Sequence, residues 1–124
     1  MSHREFLDFV LEQMSQLRGL RSRSMFGGFG IYQGELFFAL IADDRLYLKT
    51  DLISRPDFLA RGLSPFVYRV QGKVSSMQYY EVPPEVYEDL DSMQLWAEKG
   101  IAAARRAAAA PHVSKRRKKA NKST

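Results

Sequence analysis

Residues 29–49 read FGIYQGELFFALIADDRLYLK, three extended apolar segments separated by two short polar turns. Runs of aromatic and branched residues between turn pairs are typical of consecutive β-hairpins. The sequence therefore predicts an antiparallel meander of three strands. The segments and turns are, in order, Phe29–Tyr32, Gln33-Gly34, Leu36–Ile41, Asp43-Asp44 and Arg45–Lys49.

The stretch before this meander has a helical pattern. Ser2 followed by Glu5 predicts a capping box, in which each side chain bonds a free backbone N–H of the first turn. Apolar residues then recur every three or four positions, and Gly19 is suited to end a helix. We expect a helix from about Ser2 to Arg18. Ser24–Phe26 is a short strand candidate, interrupted by the glycines that follow it.

A short second helix is predicted after the meander. Ser54 is a candidate N-cap, although a start nearer Asp51 fits the sequence equally well. Phe58 and Leu59 are predicted to face inward, and Gly62 to end the helix after barely two turns.

The remaining elements are two strands and a long helix. Pro65–Val70 and Val74–Val82 read as strands that meet at a Gln71-Gly72 turn. Asp91 with Gln94 three residues on predicts a further capping pattern, and the alanine-rich sequence that follows favours a helix to about Ala109.

This order predicts an α+β fold, a two-layer sandwich with an antiparallel sheet and the sequence α-β-β-β-α-β-β-α. We expect a folded domain over residues 1–110 and a disordered basic tail over residues 111–124.

The strand Leu36–Ile41 is apolar on both faces. If helices cover one face, then strict alternation turns one of two sets away from them: Leu36, Phe38 and Leu40, or Phe37, Ala39 and Ile41. Such an apolar face suggests self-association as a homodimer. Coverage by the N-terminal segment or a loop is the alternative.

Composition narrows the class of protein. The 124 residues include no cysteine, which excludes disulfides and thiolate chemistry, and we expect a cytoplasmic protein. No apolar run is long enough to span a bilayer, so no membrane association is predicted.

The net charge of +5 is concentrated at one end of the chain. Of 19 Lys and Arg, six lie in residues 111–124, whereas all 14 Asp and Glu precede them. The tail therefore carries +6 and residues 1–110 carry −1. Lysine and arginine side chains bind the phosphates of DNA without recognising its base sequence. The tail is therefore interpreted either as a contact with DNA or as a solvated segment without a binding role. The candidate contacts are Lys115, Arg116, Arg117, Lys118, Lys119 and Lys122, with Arg21 and Arg23 as an extension.

Groups suited to catalysis are sparse in this sequence. His3 and His112 lie at opposite ends of the chain and have no spaced metal-ligand companion. Gly28, Gly30 and Gly34 miss the spacing of a dinucleotide-binding loop, and a strand rather than a helix follows them. We predict no enzyme, and no catalytic, cofactor or metal site. The strand aromatics are assigned to core packing rather than base stacking, with one residue of the Tyr79-Tyr80 pair pointing away from the core.

Several pieces in fixed order resemble the N-terminal domain of the TfoX/Sxy competence regulators over about Phe6 to Arg106. The pieces are Met25-Phe26-Gly27-Gly28, Phe29–Tyr32, Phe38–Ile41, Leu46–Asp51, Pro65–Tyr68 and Met77–Pro83.

The resemblance implies a small α+β domain similar to secretion-chaperone folds. It also implies a bacterial regulator of DNA-uptake genes that contacts the transcription machinery, with a cyclic-AMP receptor protein as co-activator. Larger members of the family carry a second helical domain where this sequence has its basic tail. A protein-interaction or chaperone-like adaptor without a nucleic-acid role is the alternative. The resemblance brings no catalytic residues, and its motif residues are interpreted as structural: Met25, Phe26, Gly27, Gly28, Lys49, Tyr79 and Tyr80.

Overall fold

The structure is a computed structural model that describes residues 2–25, 27–70 and 73–110. For residues 69–70 and 73–77 it describes the backbone alone. In chain order the elements are α1 (His3–Gln13), β1 (Leu20–Met25), β2 (Gly28–Gln33), β3 (Leu36–Ala42), β4 (Arg45–Lys49), α2 (Arg55–Ala60), β5 (Pro65–Val70), β6 (Lys73–Glu81), a 3₁₀ turn (Pro84–Tyr87) and α3 (Leu90–Ala109).

Within these residues the strands form one six-stranded antiparallel sheet in the order β1-β2-β3-β4-β6-β5. The α+β prediction is confirmed, and the sheet has one strand more than the predicted three-strand meander and hairpin supply. The extra strand is β1, which pairs along β2 from Leu20 opposite Gln33 to Met25 opposite Gly28. Its sequence LRSRSM carries a weak strand signal because an edge strand has few side chains to bury.

Helices cover one side of the sheet. The buried residues of α1 and α2 and most of those of α3 belong to one core, termed the helix-side core, which they share with strand residues such as Ile31, Phe38 and Leu48. A second buried cluster consists of strand residues only, with Leu40, Phe66 and Tyr79 at its centre. The two-layer arrangement is therefore confirmed.

A bulge in β3 decides which residues enter which cluster. Ile31 pairs with Ala39 but Tyr32 pairs with Phe37, so Phe38 is an extra residue on β3. Phe38 and Ala39 consequently both pack in the helix-side core, whereas Phe37 and Leu40 lie on the other side. The prediction of strict alternation along this strand was wrong for that reason.

The first helix begins as predicted and ends earlier. Ser2 and Glu5 form the reciprocal capping box. The helix stops at Gln13 rather than Arg18, because the chain tightens into turns, including one in which Leu17 N–H bonds the Met14 carbonyl 2.9 Å away. Those turns bring the chain back to start β1.

The second helix begins with a turn organised by Asp51. Its carboxylate accepts hydrogen bonds from the N–H groups of Ile53 and Ser54, each 3.0 Å, and Ser54 Oγ accepts from Asp51 N–H at 3.1 Å. Ser54 makes no capping bond to the helix itself. Phe58 is buried as predicted but Leu59 is 56% exposed, because adjacent helical residues point about 100° apart.

The last helix starts two residues earlier than the predicted cap. Asp89, rather than Asp91, accepts the Ser92 N–H bond at 3.1 Å, and the helix runs to Ala109 as predicted. Gly100 lets this helix approach the sheet, since a Cβ there would lie 3.0 Å from the Phe38 carbonyl oxygen. No helix in the described part of the chain has the length and apolar character needed to cross a bilayer.

Candidate functional site

The side of the sheet opposite the helices is termed the helix-free face. Leu40, Phe66 and Tyr79 are buried there under partly exposed neighbours from the strands. Register adds β1 to the same side, because Arg21 lies opposite Tyr32. The face comprises Arg21, Arg23, Met25, Tyr32, Phe37, Leu40, Arg45, Tyr47, Lys49, Phe66, Tyr68, Tyr79 and Glu81.

Five of these side chains form a continuous line, termed the aromatic row. The Arg21 guanidinium carbon lies 4.6 Å from the centre of the Tyr32 ring, which stacks on Phe37 with ring centres 5.0 Å apart. Phe37 in turn lies 5.3 Å from Tyr79, and Lys49 Nζ is 5.4 Å from the centre of the Tyr79 ring. The row thus runs from Arg21 on the edge strand β1 to Tyr79 on β6, with Lys49 of the intervening strand β4 beside Tyr79.

Local contacts hold Arg21 in place and keep the Tyr79 phenol neutral. Arg21 Nε donates to the Gly34 carbonyl at 3.0 Å, and its Nη2 lies 3.7 Å from the exposed Glu35 carboxylate. Burial, and to a lesser degree the neighbouring Tyr32, raises the pKa of the Tyr79 phenol far above its usual value. Tyr79 is therefore neutral at physiological pH, and the cations set the charge of the row.

A second aromatic group lies beside the row. Tyr47 contacts Phe66 edge to face with ring centres 5.2 Å apart, and Phe66 stacks on Tyr68 at 5.9 Å. These three rings line a shallow depression of about 320 Å³. Arg45 and Glu81 form an ion pair of 3.5 Å on the same face.

A groove of about 450 Å³ lies between the turn before α2 and the end of α3. We term it the Asp51 groove. Arg106 binds Asp51 through two hydrogen bonds, Nε to Oδ2 at 2.6 Å and Nη2 to Oδ1 at 3.0 Å. The lining residues are Lys49, Thr50, Asp51, Leu52, Ile53, Gln78, Ala103, Arg106 and Ala107.

The Asp51 carboxylate is strongly stabilised as an anion. The Arg106 hydrogen bonds, with smaller contributions from the Ser54 and Ile53 N–H groups, hold the pKa of Asp51 far below its usual range against an opposing effect of burial. The turn that these bonds fix exposes two large apolar side chains. Leu52 is 85% exposed and Ile53 is 68% exposed.

The structure brings together several residues that the sequence singled out. The helix-free face contains Arg21, Arg23, Met25, Lys49 and Tyr79, although no spacing along the chain groups them. The prediction that Tyr79 and Tyr80 point to opposite sides of the sheet is confirmed. Tyr80 packs against the helix-side core, whereas Tyr79 belongs to the second cluster.

The glycines of the motif lie at the junction of β1 and β2. Gly27 has a positive φ of 75°, and a Cβ on Gly28 would overlap the carbonyl oxygen of Ile41. Their structural interpretation therefore has a physical basis. Outside the described residues lie Phe26 and the tail candidates Lys115, Arg116, Arg117, Lys118, Lys119 and Lys122.

Sequence reasoning missed the contacts that join distant parts of the chain. The Asp51–Arg106 pair joins residues 55 positions apart, and His3 Nδ1 lies 2.9 Å from the Asp44 carboxylate. Asp51 is the last residue of Leu46–Asp51, one of the segments that resemble the family, and this was the one signal in the sequence that could have identified it. Among the described residues no three His, Asp or Glu side chains are grouped closely enough to hold a metal ion.

Comparison with known proteins gives a consistent result. The family model described as TfoX N-terminal domain matches residues 12–104. The DNA transformation protein TfoX1 of Aliivibrio fischeri (strain ATCC 700601 / ES114) is 31% identical over 90 residues, which are 71% of this chain and 41% of that protein. The chain thus spans about two fifths of that relative's length. The chain belongs to the TfoX N-terminal domain family.

Proposed function

We propose that this chain is a non-enzymatic regulatory domain of DNA transformation that acts by contacting a protein of the transcription machinery. Membership of the TfoX N-terminal domain family supports a competence-related regulatory role, as does the name of the 31% identical relative. By family resemblance, the expected partners are RNA polymerase and a cyclic-AMP receptor protein.

The observation that carries the proposal is the exposed apolar pair on the rim of the Asp51 groove. Leu52 and Ile53 are among the most exposed large apolar residues described. Their turn is fixed by Asp51, which three backbone or side-chain donors hold in place. Burying each side chain in a partner stabilises a complex by about 1.5–3 kcal/mol, and a rigid turn loses little conformational entropy on binding.

The groove beside this pair suits the apolar side of a protein segment. Ala103 and Ala107 provide small side chains on α3 that leave room for larger ones. Lys49 lines the same groove, and Arg55 lies close by, with Nε 3.2 Å from Thr50 Oγ1. A partner segment with both apolar and acidic residues is complementary to these groups.

Binding of the full chain to purified RNA polymerase and to purified cyclic-AMP receptor protein tests the proposal. The double variant Leu52→Ser/Ile53→Ser is expected to weaken binding to one of them by about tenfold or more. The matched control is Leu95→Ser, because Leu95 is 57% exposed on α3 but does not line the groove. If the native chain, the double variant and the control bind equally well, the groove is not the contact surface. Failure of the native chain to bind either protein contradicts the proposal and favours the chaperone-like adaptor.

The basic tail adds a sequence-independent contact with DNA in this proposal, extended on the folded domain by Arg21 and Arg23. Removing residues 112–124 is expected to abolish retention of duplex DNA in a gel shift at low salt. For the full chain, the plot of log affinity against log salt concentration should have a slope no steeper than about −5, since six tail cations are available. Unchanged retention after the deletion contradicts the tail contact.

A further inference from the structure

The helix-free face combines cations with partly exposed aromatic rings. Among the strand residues whose side chains are described, register places four cations and one carboxylate on this face, and Arg45 pairs with that carboxylate. Residues 1–110 together carry a net charge of −1, so this face is more positive than the domain as a whole. The charged residues are Arg21, Arg23, Arg45, Lys49 and Glu81.

The aromatic row offers ring edges to a ligand. Tyr32 and Phe37 stack on each other while Arg21 lies over Tyr32, so their ring faces are used within the row. Ring edges carry partial positive charge and pack favourably under the face of another aromatic ring. Tyr47 and Tyr68 add two further partly exposed rings beside the row.

We propose that the helix-free face binds single-stranded DNA, with bases packed on the aromatic row and phosphates paired with Arg21, Arg23 and Lys49. Unpaired bases have free faces to bury against aromatic side chains, and the cations beside the row can pair with the phosphates of a backbone that crosses it. The choice of DNA over RNA rests on the proposed role in DNA transformation.

Two other occupants fit the face less well. The bases of a duplex are already stacked on each other, so they leave the aromatic row unused. A second copy of the chain would place an equally cationic face against this one, which costs free energy on an apolar surface. Single-stranded DNA satisfies both the rings and the charges.

Fluorescence anisotropy with a labelled oligothymidylate of about 20 nucleotides tests the proposal in the full chain at low salt. The test variant is Arg21→Glu/Arg23→Glu, which changes two exposed arginines of this face that do not line the Asp51 groove. The matched control is Arg4→Glu/Arg105→Glu, which makes the same charge change at two exposed arginines on helices. All chains keep the basic tail, so tail binding is common to them, and circular dichroism confirms that each is folded.

We expect the test variant to bind the oligonucleotide about tenfold more weakly and the control to change by less than about twofold. Equal loss in both variants, or no loss in the test variant, overturns the proposal, since binding then depends on overall charge or the tail.

A second arm tests the role of the rings. Tyr32→Leu removes one ring but keeps the charge, and an abasic strand of the same length removes the bases but keeps the phosphates. Native protein is expected to prefer the oligothymidylate over the abasic strand and over a duplex, and Tyr32→Leu to reduce that preference. Equal affinity of the native chain for all three ligands overturns the proposal.

Light scattering completes the test. A mass of two chains that becomes one chain in Tyr32→Asp assigns the face to a second copy instead. This inference rests on the proposed function only for the choice of DNA, and none of these variants alters a residue that lines the Asp51 groove. A native chain that binds the transcription protein but shows no preference for the oligothymidylate contradicts this inference alone, whereas a native chain that shows the preference but binds neither protein contradicts the proposed function alone.

Discussion

At the scale of single residues, Asp51 organises both the turn before α2 and its attachment to α3. One carboxylate accepts from two backbone N–H groups and from the Arg106 side chain. The position was recognisable from the sequence because it ends a family motif piece. Its partner was not, because no local pattern relates residues 55 positions apart along the chain.

Asp51→Asn is expected to lower the free energy of unfolding by about 1 kcal/mol at neutral pH, since the charge-assisted bonds to Arg106 are lost from a partly exposed site. Urea unfolding monitored by Trp96, the only tryptophan of the sequence, measures this change. Asp57→Asn is the control, because that carboxylate is 53% exposed in its pair with Lys99 and should contribute less than about 0.5 kcal/mol. An equal effect of both substitutions contradicts the assignment.

The pH dependence of stability follows from the lowered pKa of Asp51. Because the pKa of Asp51 is lower in the folded chain than in the unfolded one, its contribution is complete above about pH 4 and is lost as the pH falls through the folded-state value. Native protein should therefore lose more stability on acidification below pH 4 than Asp51→Asn does. Parallel curves for the two proteins would show that Asp51 makes no such contribution.

Gly28→Ala is expected to destabilise the domain by about 2 kcal/mol or more, because the new methyl group would overlap backbone of β3 at Ile41. Gly27→Asn provides the comparison: φ there is positive, but nothing lies within 4 Å of the added Cβ. Asparagine tolerates that conformation, so a loss of about 1 kcal/mol or less is expected. Thermal unfolding measures both variants. A larger loss in Gly28→Ala than in Gly27→Asn shows that the close approach of β3 backbone matters more than the positive φ.

At the scale of elements, the sequence was most informative where turns are short and least informative within strands that are apolar on both faces. The Asp43-Asp44 turn was predicted from residue type alone. The bulge at Phe38 was not, because every residue from Leu36 to Ile41 is apolar and no register mismatch is visible in such a run. The first strand was underestimated since its edge position buries little side-chain surface.

The β3–β4 turn yields a prediction of its own. Asp43 and Asp44 both have positive φ, 54° and 56°, as in the type I′ turn, which favours glycine at its second position. Asp44→Gly should therefore raise the free energy of unfolding by about 0.5 kcal/mol, and Asp44→Ala should lower it.

Chemical denaturation of these variants is best measured near pH 8. The hydrogen bond from Asp44 raises the pKa of His3, so any contribution of this pair is present at low pH and lost as the pH rises through the folded-state value. Destabilisation by Asp44→Gly under these conditions would contradict the turn assignment.

At the scale of the whole molecule, fold class and family were accessible from the sequence, but the surfaces were not. Strand order and register decide that Arg21, Lys49 and Tyr79 share one face, and no spacing along the chain encodes this. Likewise, the exposed residues Leu52 and Ile53 follow Asp51, which bonds Arg106 of a separate element. Both proposed surfaces therefore combine residues that are far apart in the sequence.

Hydrogen exchange of the full chain, alone and with purified RNA polymerase or cyclic-AMP receptor protein, tests the central claim most directly. The account predicts that one of these proteins slows exchange in the peptides that line the Asp51 groove, residues 49–55 and 103–107. Protection confined to other surfaces, or none with either protein, would contradict it.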